Sequence, residues 1–124
     1  MRAEFCLDRV NLSEAGHLYP SEISGGMMKR VAIARAVALN PHYLFCDEPN
    51  SGLDPTTSAS IDKLLKELTE EYQITTVVNT HDMNSIKTIA NHILYLDKGQ
   101  VAWQGTREGL SGDIPLSLKN FLYP

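Results

Sequence analysis

Two adjacent carboxylates, Asp47 and Glu48, close a short and wholly apolar run, Tyr43-Leu44-Phe45-Cys46. Strands otherwise avoid Asp and Glu, so the abrupt switch reads as a strand end, where α/β sheets present their ligand-binding groups. Hard carboxylate oxygens suit Mg²⁺, which keeps most of its waters and bridges to phosphates. One acid can hold such a hydrated ion while its neighbour takes a proton from water. The plainer alternative is a strand end capped by two solvated acids that lead into a loop at Pro49.

Upstream, Ser24-Gly25-Gly26-Met27 stands immediately before a helical pattern. Glycines there let the backbone approach a ligand closely, and the helix N-terminus offers unpaired N–H groups with a partial positive charge. Ser24 can cap the helix or donate its hydroxyl to a phosphate; a Ser-Gly-Gly turn with no ligand is the bland reading. Downstream, Thr80-His81-Asp82 follows a β-branched run. A neutral imidazole at a strand end can donate one N–H to a phosphate oxygen, although a lone loop histidine is more often only a polar surface residue. His17, His42 and His92 share no metal-ligand spacing with His81, so a zinc site is not expected.

These groups need elements to hold them. Ala3, Cys6, Leu7 and Val10 fall on one face of a helix over Arg2 to Val10. Gly16 and Pro20 break regular structure, and a second helix runs from Gly26 to Leu39 with Asn40-Pro41 as its stop. Tyr43 to Cys46 predicts a strand buried on both faces of a parallel sheet. Asp54-Pro55 reads as N-cap and first residue of a helix whose core stripe is Ile61, Leu64, Leu65, Leu68 and Tyr72. Ile74 to Val78 is the next strand, followed by a helix from Met83 to Ala90. Ile93–Leu96 and Val101–Gln104 flank a hairpin turn at Asp97-Lys98-Gly99-Gln100, expected as an antiparallel edge. Thr106 with Glu108 begins a further turn, and Leu116 to Leu122 a last helix. Helix and strand alternate, which predicts an α/β fold with a mostly parallel sheet.

Composition sets the outer limits. The 124 residues suit one modest domain. Eleven basic against fifteen acidic residues leave a formal charge of −4, which argues against a nucleic-acid-coating surface. Two cysteines are too few for a disulfide scaffold or a four-cysteine metal site, and point to a reducing compartment. No apolar run approaches the roughly 18 residues of a membrane helix, and Met1-Arg2-Ala3-Glu4 opens no signal peptide.

In combination and order, the motifs resemble the ATP-binding cassette (ABC) family. Ile23 to Met27 resembles its signature, with Met27 in place of the usual glutamine. Tyr43 to Glu48 resembles the Walker B strand, Ser51-Gly52-Leu53-Asp54 the D-loop, and His81 the switch histidine. Asp97 to Val101 is similar to the hairpin of transporter-type members, and the resemblance extends to about Leu110. It implies the C-terminal half of a P-loop NTPase domain: a helical-subdomain remnant over 1–40, a core over 41–110 and a tail over 111–124. Tyr19 to Arg30 and Thr80 to Met83 further resemble the bacterial phospholipid-trafficking group.

The resemblance also implies roles. ATP and Mg²⁺ are the cofactors, Asp47 holding Mg²⁺ through water, Glu48 acting as general base and His81 contacting the γ-phosphate. Ser24, Gly25, Gly26 and Met27 would contact nucleotide held by a second cassette in a head-to-tail dimer, and Asp54 would couple the two sites. A transmembrane permease is the other implied partner, which would place this subunit in the cytoplasm, peripheral on the cytoplasmic face of the inner membrane when assembled. None of the eight glycines is followed by lysine, so these residues contain no G-x-x-x-x-G-K-[ST] phosphate cradle. A chain without it is expected to be inactive alone and, lacking a central strand, to self-associate through open sheet edges. A DNA-repair or chromosome-maintenance ATPase is disfavoured by the hairpin and by the lack of heptads; a non-catalytic interaction module or remnant is the other alternative.

Overall fold

A computed structural model describes residues 2–124, which divide after Thr80 into two compact units. In the first, α1 (Arg2–Arg9) buries Cys6, and the chain leaves it through Asn11 in the left-handed region, φ 60°. A short 3-10 turn at Pro20–Glu22 leads to α2 (Gly25–Val37), capped by Ser24 and burying Ile33, Ala34 and Val37. Asn40, at φ 51°, turns the chain out of α2 just before Pro41. The Arg2 guanidinium donates to the Ala38 carbonyl and to Asn40 Oδ1, both at 2.6 Å, which ties the start of α1 to the end of α2.

A parallel βαβ unit follows. β1 (Tyr43–Asp47) pairs with β2 (Thr75–Asn79) through the crossover helix α3 (Pro55–Tyr72), in a register that sets Tyr43 opposite Thr75 and Asp47 opposite Asn79. Asp54 caps α3 and Pro55 opens it, as the sequence predicts. Ile61, Leu64, Leu65 and Leu68 are buried with Leu44 and Ile74 in one core that also takes in Val10 and the α2 face. Tyr72 departs from the expected stripe: it is 39% exposed, and the Arg9 guanidinium lies 5.2 Å from its ring centroid.

β1 corrects the expectation of a strand buried on both faces. Leu44 is buried and Cys46 half-buried, but Tyr43 is 65% and Phe45 74% exposed. The helices of this unit cover one face of the pair only, so alternate residues of an apolar run meet the core and the rest meet solvent.

The second unit opens with α4 (Met83–Ile89), whose cap Asp82 accepts from the Asn84 and Ser85 amides at 2.8 and 3.4 Å. β3 (His92–Asp97) and β4 (Gln100–Thr106) form the predicted hairpin, turning at Lys98 (φ 52°) and Gly99 (φ 76°). Two consecutive positive φ values match the twist of the flanking strands. The hairpin is a separate two-stranded antiparallel sheet, not an edge added to β1 and β2. It packs through Ile93, Tyr95 and Trp103 onto Leu110, Ile114 and α5 (Leu116–Leu122). A 3-10 turn at Glu108–Ser111 stands where a turn was predicted. Among the described residues no helix is long and apolar enough to cross a membrane.

Candidate functional site

The carboxylates stand at the C-terminal end of β1, where the parallel register decides their neighbours. Asp47 is the last strand residue, and its Oδ1 accepts from Asn79 Nδ2 at 2.7 Å. Glu48 leaves the strand at φ 48°, in the left-handed region. Its N–H donates to the Asn79 carbonyl at 2.8 Å, and its carbonyl accepts from the Ser51 amide at 3.2 Å. Its Oε2 lies 3.4 Å from the Thr80 hydroxyl, which donates to it. Behind them, burial pushes the Cys46 thiol up from its ordinary pKa and so lowers its reactivity.

The predicted signature and D-loop residues are brought together at the start of α2 and α3. Ser24 Oγ accepts from the Met27 amide at 3.2 Å, the capping role among the two its position allowed. A Cβ on Gly26 would fall 2.7 Å from Thr57 Cγ2, and one on Gly25 would lie 3.4 Å from Leu53 Cδ2. The glycines therefore permit close packing against Leu53 and Thr57 as well as an accessible helix N-terminus. Lys29 Nζ donates to Ser51 Oγ at 3.3 Å. Asp54 accepts from both the amide and the hydroxyl of Thr57, and these bonds hold its carboxyl below the usual carboxylate range.

Beneath this loop lies a buried polar cluster that sequence reading missed. Asn50 Nδ2 donates to Asp62 Oδ1 at 3.1 Å, and Ser58 Oγ donates towards the Asn50 and Leu53 carbonyls at 3.3 and 3.4 Å. The signal was present as a one-turn spacing, Ser58 to Asp62, beside the apolar stripe. Asn79 was also missed, because its meaning depends on the register with Asp47. His81 immediately precedes the α4 cap, at the start of the second unit.

Among the described residues no group of three or more His, Cys, Asp or Glu could cage a metal. Two neighbouring hard carboxylates do fit Mg²⁺, which retains waters and takes its remaining ligands from phosphates.

The ABC transporter family model matches residues 1–51. The methionine import ATP-binding protein MetN of Haemophilus influenzae is 49% identical over 100 residues, 81% of this chain and 29% of that protein. The structure of cbiO1 from Clostridium perfringens, part of the ABC transporter complex cbiONQ, superposes with a TM-score of 0.83 at 32% identity, over 89% of this chain and 44% of that one. The ATP-binding cassette MJ0796, a dimer in a post-hydrolysis state with ADP and Pi, gives 0.72 at 41% identity over 86% and 46%. The chain thus spans less than a third of the curated relative and under half of each solved chain. The phospholipid-trafficking resemblance gains no support from these relatives, the curated one of which is named for methionine import. With the motifs in order, the predicted βαβ unit in place and solved cassettes superposing on most of its length, the chain has the α/β fold of half of an ABC-type P-loop NTPase domain.

Proposed function

We propose that the chain belongs to the ATP-binding subunit of an ABC transporter and contributes the acidic half of its hydrolytic site. The observation that carries this is the pair Asp47–Glu48, held at the carboxyl end of a parallel strand pair by Asn79 and Thr80. In this reading Asp47 holds Mg²⁺ through water, and the ion, when bound, neutralises charge on the nucleotide phosphates. Glu48 takes the proton of the attacking water on a carboxylate oxygen. His81 donates to the γ-phosphate. Ser24, Gly25, Gly26 and Met27 contact nucleotide held by a second cassette, and Ser51, Gly52, Leu53 and Asp54 lie along that shared interface. The dimeric state in which MJ0796 was solved supports the pairing.

The further partner is a transmembrane permease, with the subunit on the cytoplasmic face of the membrane; cbiO1, itself part of a transporter complex, supports this. For the cargo, the MetN likeness favours an amino acid, whereas Tyr19–Arg30 and Thr80–Met83 favour phospholipid. No residue of the site touches cargo in this reading, so a disrupted strain assayed for methionine uptake and for membrane lipid distribution separates the two.

The test of the chemistry is Glu48→Gln in the assembled transporter. Gln keeps shape and hydrogen bonding but accepts no proton, so nucleotide binding should persist while turnover falls by at least about 100-fold. His81→Ala should also slow turnover. Near wild-type steady-state rates in either variant would remove that residue from its role.

A further inference from the structure

Asn79 is placed to do two things at once. Its side-chain Nδ2 donates to Asp47 Oδ1 at 2.7 Å, and its main-chain carbonyl accepts the Glu48 N–H at 2.8 Å. A single residue thereby grips both acids, one by side chain and one by backbone. This follows from the register: Asn79 is the residue of β2 directly opposite Asp47, and the next residue, Thr80, reaches Glu48 Oε2 at 3.4 Å. The rest of β2, Thr75-Thr76-Val77-Val78, is β-branched, so an amide side chain at its end is a break in the strand's own pattern.

We infer that Asn79 is a positioning residue for the acid pair, and this rests on the functional reading above. Its amide occupies one carboxylate oxygen of Asp47 in a charge-assisted hydrogen bond and fixes the rotamer, which presents the other oxygen to a hydrated divalent cation. Its carbonyl pins the amide of Glu48 at the left-handed bend, so the base departs from the strand at a set point. An outer partner of this kind orders a ligand before the metal arrives, and its loss typically weakens metal binding tenfold or more.

The test uses the whole chain, ¹⁵N-labelled, with Mn²⁺ alone as probe, because paramagnetic broadening detects weak occupancy without any turnover. In the wild type, broadening should centre on the amides of Asp47, Glu48 and Thr80 and vanish in Asp47→Ala. Asn79→Leu removes the donor at similar size and keeps the main-chain carbonyl; Asn79→Ala repeats the deletion with less bulk. Each should weaken Mn²⁺ by about 10-fold while the Glu48 amide signal stays in place. Affinity within twofold of wild type in a folded variant overturns the inference and leaves the functional reading standing. Absence of broadening at the acids in the wild type overturns the inference, because no ion is then ordered by the acid pair without phosphates, while the functional reading is decided separately by Glu48→Gln. Loss of dispersed amide signals in both variants makes Asn79 a folding residue and also overturns it.

Discussion

Glu48 combines a functional assignment with a backbone that its residue type disfavours. An L-residue in the left-handed region costs about 1–2 kcal/mol, which glycine avoids at the expense of greater freedom in the unfolded chain. Glu48→Gly is therefore expected to leave stability unchanged or raise it by up to about 1 kcal/mol in urea unfolding, even as it removes the proposed base. A loss of more than about 1 kcal/mol would show that the side chain's own contacts outweigh the bend. Asp54 offers a second single-residue test. Its hydrogen bonds to Thr57 lower its folded pKa, so its contribution is present above the unfolded value of about 3.9 and is lost as pH falls through the folded one. Asp54→Asn keeps a cap acceptor at every pH. Its deficit in urea midpoint against wild type should be visible at neutral pH and close as the pH drops below about 4; a deficit independent of pH would contradict the assignment.

At the scale of elements, the first turn of α2 packs tightly on that of α3. Gly26 leaves no room for a Cβ against Thr57 Cγ2, and Thr57 is β-branched and also bonded to Asp54, so it cannot swing aside without cost. Gly26→Ala should destabilise by about 1–3 kcal/mol through overpacking. Thr57→Ser removes the methyl and retains the hydroxyl that Asp54 accepts from. The double variant Gly26→Ala/Thr57→Ser should therefore recover most of the loss, and a thermodynamic cycle measures the coupling. Additive effects would place the role of Gly26 in backbone exposure to ligand rather than in helix packing. The hairpin shows the contrasting case, an element whose local chemistry suffices: Lys98 and Gly99 take the positive φ values that a tight two-residue turn requires, wherever the hairpin is docked.

Taken as one molecule, the chain presents an incompletely covered sheet. β1 and β2 pair only with each other among the described residues, and Tyr43, Phe45 and Val77 share the exposed face, with Val77 50% open to solvent. Unpaired strand edges beside exposed aromatic surface favour pairing between chains. Residues 1–124 on their own should show a mass above that of a monomer by light scattering. Calorimetry with Mg²⁺-ATP should find at most weak binding and no turnover, since an acid pair and a helix N-terminus leave most of a triphosphate's charge unmatched. Micromolar affinity in a monomer would mean that these residues build a nucleotide site by themselves.

What the sequence determined alone is what depends on neighbours along the chain. Ser24 and Asp54 as caps, Pro55 at a helix start, the stripe Ile61 to Leu68, and the turn at Lys98-Gly99 all appear where local chemistry puts them. So do the acids at the end of β1 and the order of motifs that carries the resemblance to a cassette. What only the tertiary structure decided depends on residues far apart in sequence. The register of β1 on β2 turns Asn79 from an ordinary strand-end residue into the partner of Asp47, 32 positions away. The crossing of α2 on α3 makes Gly26 a packing residue. Coverage by helices on one side exposes Tyr43 and Phe45, although their run reads as buried throughout. An apolar side chain records that it can be buried; whether it is buried depends on what the rest of the fold lays over it.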